Sequence, residues 1–182
     1  MTTTTQSILF SPAPYHILSY GTLLGTTFFH SFVNGIVAFR ELPRPQFAVL
    51  QSKLFPIYFS MQTALPVVLA VTYPAGLATP SGLAGLLDVS NRWSALVPIA
   101  TMFVTALANM VVVGPATTKC MRERKSQERK DGKKSYDPPP HSQEMVALNK
   151  KFGKLHGISS LLNMATFVAS LVYGVSLSRR IV

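Results

Sequence analysis

Residues 42–59 read LPRPQFAVLQSKLFPIYF, and they stand where one long apolar run ends and another begins. Pro43 and Pro45 each lack an amide donor and disfavour helical geometry in the residue before them, so a helix arriving from the N-terminal side is expected to stop there. Beyond them Phe47, Leu50 and Leu54 recur at helical spacing, while Arg44, Gln51, Ser52 and Lys53 suit a wetter face. The expected element is a hinge at a membrane surface, built on Pro43, Arg44, Gln51, Ser52 and Pro56, between two membrane-crossing helices.

Outward from that hinge, charge is scarce. Hydrophobic residues make up 48% of the 182-residue chain and charged residues only 13%, about half the share a soluble domain carries. Four runs are nearly free of charge, residues 17–39, 54–74, 95–113 and 157–177. Each approaches the roughly 20 residues a helix needs to cross a hydrocarbon core. The expected fold is all-α, an integral membrane four-helix bundle with a basic extramembrane loop (residues 115–155) between helices 3 and 4. Within that loop the charged segment from Lys119 is expected to be helical at first, Asp131-Gly132 and Pro138 to Pro140 to break it, and a helix to restart from Ser142 as N-cap and run into the fourth span. Residues 1–14, rich in threonine and ending in Ser-Pro-Ala-Pro, are expected to form a flexible tail before a membrane domain over residues 15–182. No Lys or Arg precedes Arg40, so the first run lacks the basic start of a signal peptide and reads as an uncleaved span.

The positive charge is arranged as topology requires. Arg40, Arg44 and Lys53 flank the hinge, and eleven Lys and Arg lie between Lys119 and Lys154, against Arg92, Arg179 and Arg180 on the other side. The positive-inside rule then places both basic regions on the cytosolic or matrix face, with both termini opposite. The net charge of +10 is thereby explained without nucleic acid. The expected partners are membrane lipids with anionic headgroups, attracted by Lys119, Arg122, Arg124, Lys125, Arg129, Lys130, Lys133 and Lys134, and a membrane-protein complex partner.

Inside the spans, Gly21 with Gly25 and Gly153 with Gly157 are spaced four apart, a pattern that lets helices approach closely. His30 with Asn34, Asn109, and His156 with Ser160 and Asn163 form polar faces that could meet in the bundle, either as interhelical glue or as the lining of a small polar cavity. A lone cysteine, Cys120, excludes an intramolecular disulfide. Scattered methionines show no metal-binding spacing, so no metal or cofactor is expected. No phosphate-cradling loop, zinc-protease helix or nucleophile with a base occurs, and no enzyme is expected. The leading expectation is a scaffold or accessory subunit; the alternative is a small transporter or channel-like module for a small solute or cation, linked to metal or drug tolerance.

Three stretches carry a resemblance that spans nearly the whole chain from Tyr15. They are the hinge itself, the exit of the third span (Asn109, then Gly114-Pro115-Ala116-Thr117-Thr118 and Met121-Arg122-Glu123-Arg124), and residues 151–163, KFGKLHGISSLLN. In these the chain resembles the family of transmembrane protein 205, small four-span proteins sharing a domain of largely unknown function. The resemblance implies an integral membrane protein and, for the human-type member, an association with tolerance of platinum drugs through sulfur-mediated binding or vesicular export. This chain departs from the pattern in its single cysteine, outside the spans, and in its longer basic, proline-rich third loop.

Overall fold

The computed structural model describes residues 10–74 and 80–179. Four helices are long and apolar enough to cross a membrane: α1 (Pro12–Glu41), α2 (Arg44–Val71), α4 (Val89–Asp131) and α5 (Gln143–Ser178), with a short α3 (Gly82–Leu86) before α4. The helices pack in a ring, α1 against α2, α2 against α4, α4 against α5, and α5 back against α1. Consecutive helices run antiparallel, so Pro12 and Ser178 share the end of the bundle opposite the turn that joins α4 to α5. Large apolar side chains such as Ile57 (60% exposed), Val104 (60%), Leu161 (72%) and Val175 (62%) face outward. Water would penalise that much unburied hydrocarbon, whereas acyl chains accept it.

The residues 42–59 are mostly helix, which corrects the expected hinge. Only Leu42 and Pro43 connect α1 to α2, and Pro45 lies in the first turn of α2. A proline amide there would have had no helical partner in any case, and its fixed φ suits the turn. Arg44, Gln51, Ser52 and Pro56 therefore belong to the second helix, which starts ten positions before the expected boundary at residue 54. The Arg44 guanidinium sits 3.5 Å above the Phe39 ring, and the Phe39 and Phe47 rings meet edge to face at 5.4 Å, so aromatic contacts close the two-residue connection. At the other end, residues 12–14 are already helical, whereas residues 1–9 lie outside the described part. Between α2 and α4 lies α3, entered at Gly82 with φ +71°, and the Asn91 amide ties it to α4 by donating to the Gly85 carbonyl at 2.8 Å; residues 75–79 are outside the described part.

A second correction concerns Gly114 and Pro115, where the composition changes abruptly. The helix does not stop; it widens. Residues Asn109–Val113 form a π-helical turn closed by the Gly114 amide on the Asn109 carbonyl, and α-helix resumes through Asp131. The wide turn absorbs the bond Pro115 cannot donate. Glycine is needed at its close, because a Cβ at position 114 would lie 2.8 Å from the Asn109 oxygen and 3.7 Å from the Phe59 ring. A similar π turn occupies Phe29–Asn34 in α1.

The basic segment 115–155 is helical on both sides of a break after Asp131, as expected, and its first helix is continuous with the third span. It is a helical hairpin in which α4 continues outward to Asp131 and α5 starts at Gln143 beneath a cap, the Ser142 hydroxyl accepting from the Met145 amide at 3.2 Å. This satisfies one of the free N–H groups at the helix start.

Candidate functional site

Polar side chains gather at three heights of the bundle. Nearest the chain ends, His16 of α1 is 1% exposed, with Nδ1 3.0 Å from the Thr72 hydroxyl and Nε2 2.6 Å from the Tyr173 hydroxyl. Thr72 already donates to the Val68 carbonyl at 2.6 Å, so His16 Nδ1 must be the donor to Thr72. Nε2 is then the acceptor, and the Tyr173 hydroxyl donates to it. The Tyr20 hydroxyl donates to the Ser170 carbonyl at 3.2 Å and its ring packs on Tyr173. One histidine thus fastens α1, α2 and α5 together. The signal for His16 in the sequence is Tyr20, four residues on and therefore on the same helix face.

At mid-height, the Gln62 amide of α2 donates to Thr27 at 3.2 Å and to the Tyr58 hydroxyl at 2.7 Å, and Tyr58 lies 3.5 Å from Ser31. His30 packs on the Tyr58 ring with centroids 4.3 Å apart and accepts from Asn34 at 3.1 Å. On the opposite side of the ring, Thr105 and Thr166 hydroxyls meet at 2.7 Å, and the Asn109 amide donates to the Ser159 carbonyl at 3.3 Å and to Asn163 at 3.4 Å. The expected meeting of the His30 and His156 faces does not occur. His30 packs against α2 and holds Asn34 of its own helix, Asn109 pairs with Asn163, and His156 and Ser160 are exposed, His156 stacked on Phe152 and Ser160 bonded to the His156 carbonyl. Among the described residues, the buried oxygens Gln62 Oε1 and Asn109 Oδ1 have no donor.

The glycine pairs also differ from expectation. Among the described residues nothing lies within 4 Å of a Cβ built at Gly21, Gly25, Gly153 or Gly157; these residues face outward.

The third concentration is the hairpin. Cys120 is buried against the Leu148 carbonyl at 3.6 Å. The Arg124 Nε donates to Asn149 at 2.9 Å and its guanidinium covers the Phe152 ring at 4.5 Å, so Arg124 is packed between the helices instead of forming surface. Lys133 is likewise engaged, donating to the Pro140 carbonyl at 2.7 Å. The acidic groups are turned into structure as well. Glu123 pairs with Lys151 at 2.8 Å, Glu128 accepts from the Ser135 amide at 3.0 Å, Asp131 accepts from Gln127 and Ser142, and Asp137 accepts from the Lys134 amide. Lys151 beside it holds the Glu123 carboxyl below its ordinary range. Burial pushes the Glu128 carboxyl upward, but the Ser135 bonds outweigh it and leave it low. Lys119, Arg122, Lys125 and Arg129 recur at steps of three, three and four and are exposed, so they share one outer face of the helix. The remaining expected cations, Lys130 and Lys134, are exposed at the tip.

An all-α ring of four spanning helices with outward-facing hydrocarbon defines an integral, multi-pass membrane protein. The family described as a domain of unknown function (DUF4149) matches residues 18–126, and the chain belongs to that family. Xanthocillin biosynthesis cluster protein D of Aspergillus fumigatus is 34% identical over 165 residues, covering 91% of this chain and 88% of that protein. No solved structure matches.

Proposed function

We propose that this protein is a non-enzymatic membrane scaffold or accessory subunit whose basic hairpin contacts anionic headgroups or a partner, on the cytosolic or matrix side. The observation that carries the reading is the division of charge on the hairpin. Glu123, Glu128 and Asp131 are consumed by bonds within it, while Lys119, Arg122, Lys125 and Arg129 stay on the outer face. Charge needed only for topology could be scattered; a rigid helix face of one sign favours association. The resemblance to the transmembrane protein 205 family supports a membrane role of the same kind. The Aspergillus relative is named for a biosynthesis cluster, which supports an accessory position in a biosynthetic process.

The test is purification of the full chain from its native membrane, beside a variant carrying Arg122→Glu, Lys125→Glu and Arg129→Glu. The reading expects a stoichiometric companion protein or an enrichment of anionic lipid with the first and its loss with the second, both chains being inserted equally. Recovery of neither with the natural chain overturns it.

A transporter or channel-like module, linked to metal or drug tolerance, is favoured by one observation: of the three buried amide oxygens that lack donors among the described residues, those of Gln51, Gln62 and Asn109, the latter two lie at mid-height of the bundle. Such groups would bind a passing solute or cation. Solute flux in proteoliposomes, compared with Gln62→Leu and Asn109→Leu, decides it: absence of flux with the natural chain removes this reading.

A further inference from the structure

What the outer cations can touch depends on their height above the bilayer. The apolar part of α4 starts near Trp93, and about 20 helical residues cover the roughly 30 Å of hydrocarbon, so the hydrocarbon ends close to Val113. The headgroup layer adds about 5–7 Å. At about 1.5 Å per residue, Lys119 stands about 9 Å above the hydrocarbon edge, Arg122 about 13 Å, Lys125 about 18 Å and Arg129 about 24 Å. Screening in physiological salt has a length of about 8 Å. Lys119 reaches the headgroups and Arg122 stands within about one screening length of them; Lys125 and Arg129 stand clear.

The hairpin is also held upright. Helix α4 continues through Gly114 and Pro115 without a break, and α5 is bonded alongside it by Arg124 with Asn149, Lys151 with Glu123, and Ser142 with Asp131. A charged helix meant for a bilayer would lie flat on the surface; this one projects away from it.

We propose that Arg122, Lys125 and Arg129 form a docking face for an acidic segment of a partner protein. This rests on the scaffold reading and names the chemistry of its partner. The three cations extend over about 10 Å along the axis, which matches carboxylates spaced three and four apart on one face of an acidic helix. Both arginines can grip a carboxylate with two parallel bonds. Four of the hairpin's five carboxylates are already engaged, Glu123, Glu128 and Asp131 on the side facing α5 and the tip and Asp137 on the Lys134 amide.

The experiment uses the full chain in nanodiscs of neutral phosphatidylcholine and, as probe, a fluorescent helical peptide with glutamates three and four apart, with its glutamine counterpart as control. The glutamate peptide is expected to bind saturably and the control not. Replacing the three cations together (Arg122→Gln, Lys125→Gln, Arg129→Gln) should weaken binding about tenfold or more, and Lys119→Gln less than about twofold. Adding phosphatidylserine to the discs should leave peptide affinity unchanged. No binding of the glutamate peptide, or equal binding by the triple variant, overturns the proposal. So does displacement of the peptide by phosphatidylserine, which would mean that the face lies on the membrane. A companion still lost with the charge-reversed chain, while the peptide fails to bind, would overturn the acidic segment and leave the scaffold standing.

Discussion

His16 Nε2 and the Tyr173 hydroxyl lie 2.6 Å apart, joining residues 157 positions distant in the chain. Because Thr72 spends its proton on the Val68 carbonyl, Tyr173 is the only donor this ring nitrogen has among the contacts described above. Tyr173→Phe should therefore leave a buried acceptor unpaired and destabilise the bundle by about 1 kcal/mol, near the upper part of the range for hydrogen bonds in membrane proteins. His16→Leu should cost a similar amount. The double variant should cost clearly less than the sum, since each single change strands the partner of the other. Reversible unfolding in bicelles measures all three, and strict additivity would show that the contact carries no energy.

The π turn in α4 makes a second outcome specific to one glycine. Gly114→Ala would drive its Cβ against the Asn109 carbonyl, so the turn must shift and the Asn109 contact to Asn163 with it. A loss of about 1–3 kcal/mol is expected, typical of overpacking in a close-packed interior. Gly21→Ala and Gly153→Ala meet nothing within 4 Å and should gain slightly from the better helix former. Thermal unfolding in detergent orders the three variants; a neutral Gly114→Ala would mean the wide turn is dispensable.

These residues show what composition could and could not disclose. The number and order of the spans were legible because hydrocarbon thickness sets a length, and four uncharged runs approach it. Ser142 was legible as a cap because its chemistry is local. The first helix does end before Pro43 and Pro45 as expected. The start of the next helix around Pro45 and the passage through Pro115 were misjudged for a common reason: a proline inside the first turn, or just after a wide turn, has the same sequence as one that ends a helix. What decides is whether the lost amide had a partner, and at Gly114 that is settled by Asn109 and Phe59. His30, Asn34 and Asn163 were recognisable as polar groups in apolar helices, but spacing along one helix does not say which neighbour it faces. The ring order of the helices decides that, and it sends His30 to Tyr58 and Asn163 to Asn109. The glycine pairs failed similarly, since four-residue spacing gives a flat face without saying whether protein or lipid lies against it.

The hairpin should loosen in acid. Both Glu123 and Glu128 are held below the ordinary glutamate value of 4.5, so each favours the docked hairpin fully above that value. The contribution is lost as pH falls through the lower value of the folded state. Hydrogen exchange in residues 119–135 should be flat from pH 7 to about 5, once corrected for intrinsic rates, and should rise below about 4. Glu123→Gln should exchange faster already at neutral pH and show a smaller acid response. An acid response undiminished by both Glu123→Gln and Glu128→Gln would assign it to other groups.

Ser142 has two duties, and they can be separated. Its oxygen accepts from the Met145 amide at 3.2 Å while its hydroxyl donates to Asp131 at 2.7 Å, so the start of α5 and the end of α4 are held by one side chain. Ser142→Ala removes both, and about 1–2 kcal/mol of local stability should go with them. Asp131→Asn leaves the cap but weakens the charge-assisted bond and should cost less, about 0.5–1 kcal/mol. The spanning helices have their own packing and should be unaffected, so amide exchange should accelerate over residues 143–150 while residues 160–177 keep their protection. If Ser142→Ala instead raised exchange uniformly along α5, the cap would be supporting the whole helix. The hairpin would then unfold together with the bundle, not as a separate extension of it.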